Sequence, residues 1–323
     1  MRYRPLGRTG VQVSELCLGT MTFGAEADHA ESARMYSAAR DRGVNFFDCA
    51  NTYAKGRSEQ VLGKLIASHR DEIVLTSKTY NAISKDINGK GSSRRYLVKA
   101  VEQSLQRLGT DRIDVLFMHR FDPLTPLEET LRGLEDLVRA GKILYPGASN
   151  FAAWQVAKAL GIAERHAWSR FEVMQPMYNL VKRQAEVEIL PLAQSEELGV
   201  MCYSPVGGGL LSGKYGKDKR PVGARLVDNA MYGKRYSEQW AYETAGEFTA
   251  LCEQQSVHPV SMAVAWAGAH PQITSAIIGG RTAVQLEPAL AAPEVEMTPE
   301  LYARISALSR TPPPATDRLE SQA

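Results

Sequence analysis

Ile113-Asp-Val-Leu-Phe-Met-His119, an amphipathic stretch over residues 126–140, and then Ile143-Leu-Tyr-Pro-Gly-Ala148 form the passage that decides the fold. Two apolar runs of strand length flank one segment with helical period. The runs are continuous rather than alternating, which suits strands covered by helices on one face and by a packed interior on the other. Working outward, the same unit recurs. Upstream strands are predicted at residues 17–20, 45–48 and 73–76, and downstream ones at 171–175, 200–204 and 273–278. Helical patterns fill the gaps at 30–42, 58–69, 94–108, 152–165, 185–198, 238–255 and 282–291. Eight strand–helix units in strict alternation predict an α/β fold, a closed parallel (β/α)8 TIM barrel, with an open doubly wound sheet as the alternative.

Residues 2–6 and 11–16 read as two strands joined by Gly7-Arg-Thr-Gly10, a hairpin that would plug the barrel bottom. Thr125-Pro-Leu-Glu128 and Thr282-Ala-Val-Gln285 both read as capping boxes opening helices. Pro259–Ala269 reads as an extra short helix, a final helix runs from Thr298 to about Arg310, and residues 311–323 read as a flexible tail. With no repeat or linker, residues 1–323 read as a single domain. Two long polar stretches, 81–93 and 206–237, follow predicted strands. Both therefore belong to the C-terminal face, where barrel enzymes keep their sites.

Composition sets limits on function. The 323 residues are 44% hydrophobic and 23% charged, ordinary for a globular protein. A net charge of +2 offers no global field for nucleic acid, and no aromatic platform accompanies the basic residues. The N-terminus lacks an apolar leader and no run approaches a membrane span, so the expectation is a cytoplasmic protein without membrane contact. The four cysteines, Cys17, Cys49, Cys202 and Cys252, form no CxxC pair and read as core residues in a reducing compartment. The six histidines show no metal-binding spacing, and no metal is expected.

Three predicted strands end in ionisable residues. Phe46-Phe47 delivers Asp48, residues 73–77 deliver Lys78, and residues 115–118 deliver His119, while Tyr53 lies on the loop just after Asp48. On consecutive barrel strands these side chains converge above the interior. A buried Lys78 beside Tyr53 would favour phenolate and make the phenol a better acid near neutral pH. Asp48 would keep that lysine charged, and His119 would donate to a carbonyl oxygen. None of the four is a good nucleophile. A polarised carbonyl with an acid over it needs a reductant from elsewhere.

The segments Asn45-Phe-Phe-Asp-Cys-Ala-Asn-Thr-Tyr53 and Gly56-Arg-Ser-Glu-Gln-Val-Leu-Gly63 resemble the first signature of the aldo-keto reductase superfamily. Thr76-Ser-Lys78, Asp114-Val-Leu-Phe-Met-His119 and Gly141-Lys-Ile-Leu-Tyr-Pro-Gly-Ala-Ser-Asn-Phe151 resemble further family motifs, in the family's order. The similarity runs from Leu6 to about Leu290, and the branch resembles bacterial relatives of potassium-channel β subunits. The resemblance implies an NAD(P)H-dependent oxidoreductase that reduces an aldehyde or ketone, reversibly, with Asp48, Tyr53, Lys78 and His119 as catalytic tetrad and Tyr53 as proton donor. A nucleotide-sensing binding subunit of channel β type, with slow reductase activity, is the alternative it leaves.

The same resemblance assigns cofactor residues. Ser149, Asn150 and Gln175 would hold the nicotinamide carboxamide, Tyr203 would stack on its ring, and Gly19, Thr20 and Met21 would approach from the first barrel strand. The run from Ser204 and Pro205 through Gly207, Leu210 and Ser212 to Lys214 is similar to the family's pyrophosphate belt. Gly279, Arg281 and Gln285 are similar to the adenosine end, where Arg281 suits the 2′-phosphate of NADPH. Pro288-Ala289 replaces the Glu-Asn pair of many relatives, so NADH is expected as a possible second cofactor. The basic stretch Lys214–Arg235 borders this site and suits attraction of an anionic cofactor. Phe23, Tyr80, Arg120 and Tyr178 are the candidate substrate contacts. The partner implied is a small carbonyl compound. Whether the protein is a monomer or a homo-oligomer is undetermined by the sequence.

Overall fold

Short runs buried on both faces can pair only with their like, and here they close into a ring. The computed structural model describes residues 1–82, 84–316 and 318. Ile83, and residues 317 and 319–323 of the expected tail, lie outside the described residues. Strands β1 (Tyr3–Pro5) and β2 (Gln12–Ser14) form an antiparallel hairpin with Tyr3 opposite Ser14. The barrel strands are β3 (Leu16–Gly19), β4 (Phe46–Asp48), β5 (Val74–Thr79), β6 (Ile113–Met118), β7 (Ile143–Ser149), β8 (Val173–Gln175), β9 (Gly199–Cys202) and β10 (Ser275–Ile278). They pair in parallel in chain order, and β10 closes the barrel against β3.

Alternation along each strand divides the core in two. Cys17, Phe46, Val115, Phe117, Val173 and Met201 fill the barrel interior, and Leu6 and Val13 of the hairpin join that same cluster from below. The plug is thus a packed part of the interior. Leu18, Phe47, Leu75, Leu116 and Met118 face the other way, into the larger cluster shared with the helices. The interior is tight. A Cβ on Gly147 of β7 would lie 2.6 Å from the Phe117 ring, so only glycine leaves Phe117 its place.

The outer helices are α1 (His29–Asp41), α2 (Arg57–Ile66), α3 (Arg94–Leu108), α4 (Leu127–Arg139), α5 (Ala153–His166) and α6 (Ile189–Ser195). Then follow α7 (Arg225–Asp228), α8 (Ala230–Arg235), α9 (Gln239–Gln254), α10 (Pro259–Ala269), α11 (Ala283–Leu290) and α12 (Pro299–Ala307). Three differences from the sequence expectations have physical causes. The helix expected over 185–198 is broken into a short 3₁₀ turn, Gln184–Glu186, and α6. Pro191 has no N–H for the carbonyl four residues back and its ring crowds it, so one helix cannot run through Val187. Thr125 caps nothing, because its hydroxyl donates to Asp122 Oδ2 at 2.8 Å and α4 starts without a side-chain cap. Thr282 does cap α11, accepting from the Gln285 N–H at 3.2 Å, while Gln285 Oε1 accepts from the Arg281 N–H instead of closing the box. The long stretch after β9 carries α7 and α8, which fold across the C-terminal end of the barrel. All four cysteines are buried and unpaired.

Candidate active site

The strand register builds the floor of the site. Asp48, last in β4, stands opposite Thr76 of β5, and Lys78 follows two residues on, so Thr76 and Lys78 point to the same side. Both reach Asp48. Lys78 Nζ donates to Asp48 Oδ2 at 2.5 Å and to the Cys49 carbonyl at 2.7 Å. Thr76 Oγ1 and Gln175 Nε2 donate to Asp48 Oδ1 at 2.7 and 2.9 Å. The pair is taken out of water, with Lys78 1% and Asp48 2% exposed. A buried ion pair is tolerable only where its remaining hydrogen-bonding capacity is met, and Thr76, Gln175 and the Cys49 carbonyl meet it.

Tyr53 opens a single 3₁₀ turn after β4. Ala54 (φ 49°), Lys55 (φ 56°) and Gly56 (φ 90°) are all left-handed, and this reversal brings the chain back over the floor. The Tyr53 ring centroid lies 4.9 Å from Lys78 Nζ and 6.1 Å from the His119 ring, edge to face. His119 follows β6 directly, and Asn81 Nδ2 donates to its Nδ1 at 3.2 Å.

Electrostatics separate the groups. Burial pushes the Tyr53 phenol up to about 12, against the pull of the Lys78 ammonium. The expected lowering of this phenol toward neutrality is therefore not what the structure gives. Desolvation outweighs the one cation, and Asp48 cancels part of that cation's field. Burial also pulls Lys78 down, but the Asp48 carboxylate and the Tyr53 hydroxyl more than reverse this, and its value lies above that of an ordinary lysine. Burial and the nearby Lys78 charge pull His119 down to about 4. At neutral pH the site thus holds a protonated phenol, a charged lysine and a neutral imidazole.

Above this floor lies a cavity of about 1630 Å³, larger than the ~300–1,000 Å³ of most small-molecule clefts. Of the residues singled out in the sequence, Asp48, Tyr53 and His119 line it at the floor, and Arg120, which is exposed, also lines it. Gly19, Met21, Ser149, Asn150, Gln175 and Tyr203 line its middle, and Ser204, Pro205, Ser212, Lys214, Gly279, Arg281 and Gln285 line the far arm. The Tyr203 hydroxyl donates to Asn150 Oδ1 at 2.6 Å, and Asn150 Nδ2 donates to the Ser149 hydroxyl at 3.1 Å. Others are brought near but beneath the lining. Lys78 and Thr20 are buried under it, and so are Gly207, which opens the glycine turn Gly207–Gly209, and Leu210, which follows that turn.

Two candidate substrate contacts are placed elsewhere. Phe23 and Tyr178 are fully buried and do not line the cavity. Tyr178 stacks on Trp266 with ring centroids 5.2 Å apart and donates its hydroxyl to Glu186 at 2.7 Å. Tyr80 is half-buried outside the lining, its ring 5.4 Å from the Arg120 guanidinium carbon. Cavity residues that the sequence did not single out include Asn81, Phe121, Pro123 and Tyr232. Asn81 belongs to a stretch recognisable as a loop, but nothing local distinguishes it from solvated neighbours. Thr76 is recognisable only through the register that sets it against Asp48.

The far arm is cationic. Lys214, Arg225 and Arg281 all line it, and among the described residues none has an ion-pair partner. Burial pulls Lys214 down, and Arg281 and Arg225 add to the effect, so these charges feel one another. Gly208 (φ 66°) could carry no Cβ, which would lie 2.7 Å from the Tyr232 ring. Clustered cations beside a bare backbone suit a phosphate-bearing anion. Among the described residues no group of three or more His, Cys, Asp or Glu is arranged to hold a metal ion, and no helix is long and apolar enough to cross a membrane.

A (β/α)8 barrel with a tyrosine set over a buried lysine–aspartate pair, a neutral histidine beside it and a cationic arm fits a class of barrel oxidoreductases. The chain belongs to the aldo/keto reductase family, whose profile matches residues 15–310. It is 38% identical over 312 residues, 93% of this chain and 94% of the other, to "Uncharacterized oxidoreductase YrpG" of Bacillus subtilis (strain 168). It is 34% identical, over 98% of this chain and 99% of the other, to a "Probable voltage-gated potassium channel subunit beta" of rice, Oryza sativa subsp. japonica. "Versiconal hemiacetal acetate reductase" of Aspergillus parasiticus is 30% identical over 93% of this chain and 94% of its own. The protein is an oxidoreductase.

Proposed function

We propose that this protein is an NADPH-dependent carbonyl reductase that converts an aldehyde or ketone to the alcohol, and runs in reverse on the alcohol. One observation carries the proposal. A tyrosine whose phenol stays protonated far above neutral pH lies against a lysine held charged by Asp48, at the floor of a cavity with a cationic arm. NADPH, when bound, supplies the hydride.

The chain's own residues do the rest. Tyr53 donates a hydrogen bond to the carbonyl oxygen and gives up its proton as negative charge develops there. A free phenol near 12 would be a weak acid, but the tyrosinate left behind faces the Lys78 ammonium, so the charge is compensated where it appears. Asp48 keeps Lys78 charged through the cycle. His119, neutral, donates a second hydrogen bond to the same oxygen and fixes its position. Ser149, Asn150 and Gln175 would hold the nicotinamide carboxamide and Tyr203 would flank its ring. Gly19, Thr20 and Met21 would approach from the first barrel strand, and Lys214 and the backbone around Gly208 would hold the pyrophosphate, with Gly207 and Leu210 shaping the turn. Arg281 and Gln285 would take the adenosine 2′-phosphate. The Pro288-Ala289 pair leaves the adenine end less specified, and NADH serves as a poorer substitute. The substrate is a small carbonyl compound that meets Arg120 at the mouth.

The test is a panel of aldehydes and ketones, read by loss of reduced-nicotinamide absorbance, with NADPH and with NADH. Turnover with NADPH on part of the panel is the expected result. Tight nucleotide binding with negligible turnover on every compound would overturn the proposal in favour of a nucleotide-sensing subunit.

A further inference from the structure

We infer that Asn81 is a positioning residue that sets the tautomer of His119, so that its Nε2 carries the proton and faces the cavity. The inference rests on the proposed function only for the identity of the acceptor, a carbonyl oxygen. A neutral imidazole has one proton and two nitrogens, and only the protonated nitrogen donates. His119 therefore donates to an oxygen above the floor only if something decides which nitrogen that is.

The geometry supplies the decision. Asn81 Nδ2 donates to His119 Nδ1 at 3.2 Å, which requires a lone pair on Nδ1 and leaves the proton on Nε2. His119 and Asn81 both line the cavity, and among the described residues no protein group hydrogen-bonds Nε2. The imidazole's backbone is tied down at both ends: its N–H donates to the Thr79 carbonyl at 3.0 Å, and its carbonyl accepts from Asn150 Nδ2 at 2.9 Å. Asn81 is tied down too. Its backbone carbonyl accepts from the buried Tyr96 hydroxyl at 2.9 Å, and that hydroxyl accepts from Asn51 Nδ2 at 3.4 Å. Asn51 is fully buried, and its backbone N–H donates to the Lys78 carbonyl at 3.1 Å. A chain of hydrogen bonds thus runs from the strand bearing Lys78, through Asn51 and Tyr96, to the residue that holds His119. The backbone that carries the amide is held by the same framework that aims the lysine.

The deciding measurement is a long-range ¹H–¹⁵N spectrum of the imidazole nitrogens of the full chain, with His119 assigned among the six histidines by its loss in His119→Gln. It needs no substrate and no turnover, so it stands or falls apart from the proposed activity. Nδ1 is expected unprotonated and Nε2 protonated at pH 7. In Asn81→Leu the two forms should mix, kcat should fall about tenfold with KM moving less than threefold, and nucleotide affinity should hold.

Asn81→Asp gives an independent arm. The new carboxylate accepts a hydrogen bond from Nδ1–H and raises the His119 pKa against burial and the fields of Lys78 and Arg120, with Asp48 acting in the same direction as the new charge and the Tyr53 ring uncharged beside it. Below that raised value the imidazolium still donates from Nε2. Above it, the neutral ring keeps its proton on Nδ1 and presents a lone pair to the substrate. Activity of Asn81→Asp should therefore fall as pH rises from 6 to 9 (order-of-magnitude window about an ordinary histidine value near ~6.5), while the wild-type protein stays level. A protonated Nδ1 in the wild-type spectrum, or an Asn81→Leu spectrum with an unchanged tautomer, would overturn the inference.

Discussion

Replacing Asp48 by Asn keeps the shape of the side chain and removes its charge. The amide oxygen can still accept from Thr76 and Gln175, but the amide nitrogen is then left facing the Lys78 ammonium where a carboxylate oxygen stood at 2.5 Å. Two unit charges at that separation attract by about 7 kcal/mol at an effective dielectric of ~20. Losing this leaves Lys78, 1% exposed, with only the neutral Cys49 carbonyl and Tyr53 hydroxyl as acceptors among the described residues. The lysine has an escape, which is to fold without its proton. From an unfolded pKa of about 10.4, that costs about 4.6 kcal/mol at pH 7, and this sets the ceiling on the damage. The expected destabilisation is thus about 3–4.5 kcal/mol at pH 7, in the range for breaking one partner of a buried pair.

The sign of the pH dependence makes the test sharp. In the wild-type protein the raised Lys78 value means that its contribution is fully present below about pH 10.4 and is lost only as pH climbs through the higher folded value. In Asp48→Asn the folded lysine has lost its proton while the unfolded one keeps it, so stability recovers as pH rises. Chemical denaturation of both proteins at pH 7, 8 and 9 should show the gap shrinking by about 1.4 kcal/mol per unit. A gap under about 1 kcal/mol, equal at all three pH values, would refute the burial argument.

Other outcomes follow from the same geometry. Tyr53→Phe should lower kcat by at least about 100-fold while NADPH affinity, measured by fluorescence titration, stays within about twofold, because the lost hydroxyl counts mainly in the transition state. With Tyr53 pushed up to about 12 and His119 pulled down to about 4, the phenol is protonated and the imidazole neutral across the range between. The kcat/KM for carbonyl reduction should then be level from about pH 5.5 to 9, and a limb with a midpoint near ~7 would contradict the assignment. Arg281→Ala should raise the KM for NADPH about tenfold and leave that for NADH within about twofold, since only the former brings a phosphate to the guanidinium. Equal effects on both would place the 2′-phosphate elsewhere.

Much of the site was legible because barrels put chemistry where strands end. Asp48, Lys78 and His119 each close an apolar run, and Tyr53 follows within one short loop, so register was not needed to propose that they meet. Thr76 and Asn81 escaped for opposite reasons. Thr76 is one polar residue inside a strand, and its pairing with Asp48 depends on which residues stand opposite across two strands. Asn81 is one polar residue among many in a loop, and its partner lies 38 positions away. Phe23 and Tyr178 misled because an aromatic residue near a motif reads the same whether it faces a cavity or a core. Packing against Trp266 took Tyr178, and the floor of the larger cluster took Phe23.

Burial on both strand faces leaves a pattern that needs no coordinates: short continuous apolar runs alternating with amphipathic stretches. The number of units, the order of the elements and the residues at the strand ends were therefore determined by sequence alone. What the tertiary structure decided is the balance of forces inside the site. Whether the Tyr53 phenol moves up or down depends on how much water the surrounding side chains exclude against how much of the Lys78 field Asp48 leaves uncancelled. Which nitrogen of His119 holds its proton depends on one amide arriving from a distant loop. Both are sums over neighbours brought together from separate parts of the chain, and a linear string records no such neighbours.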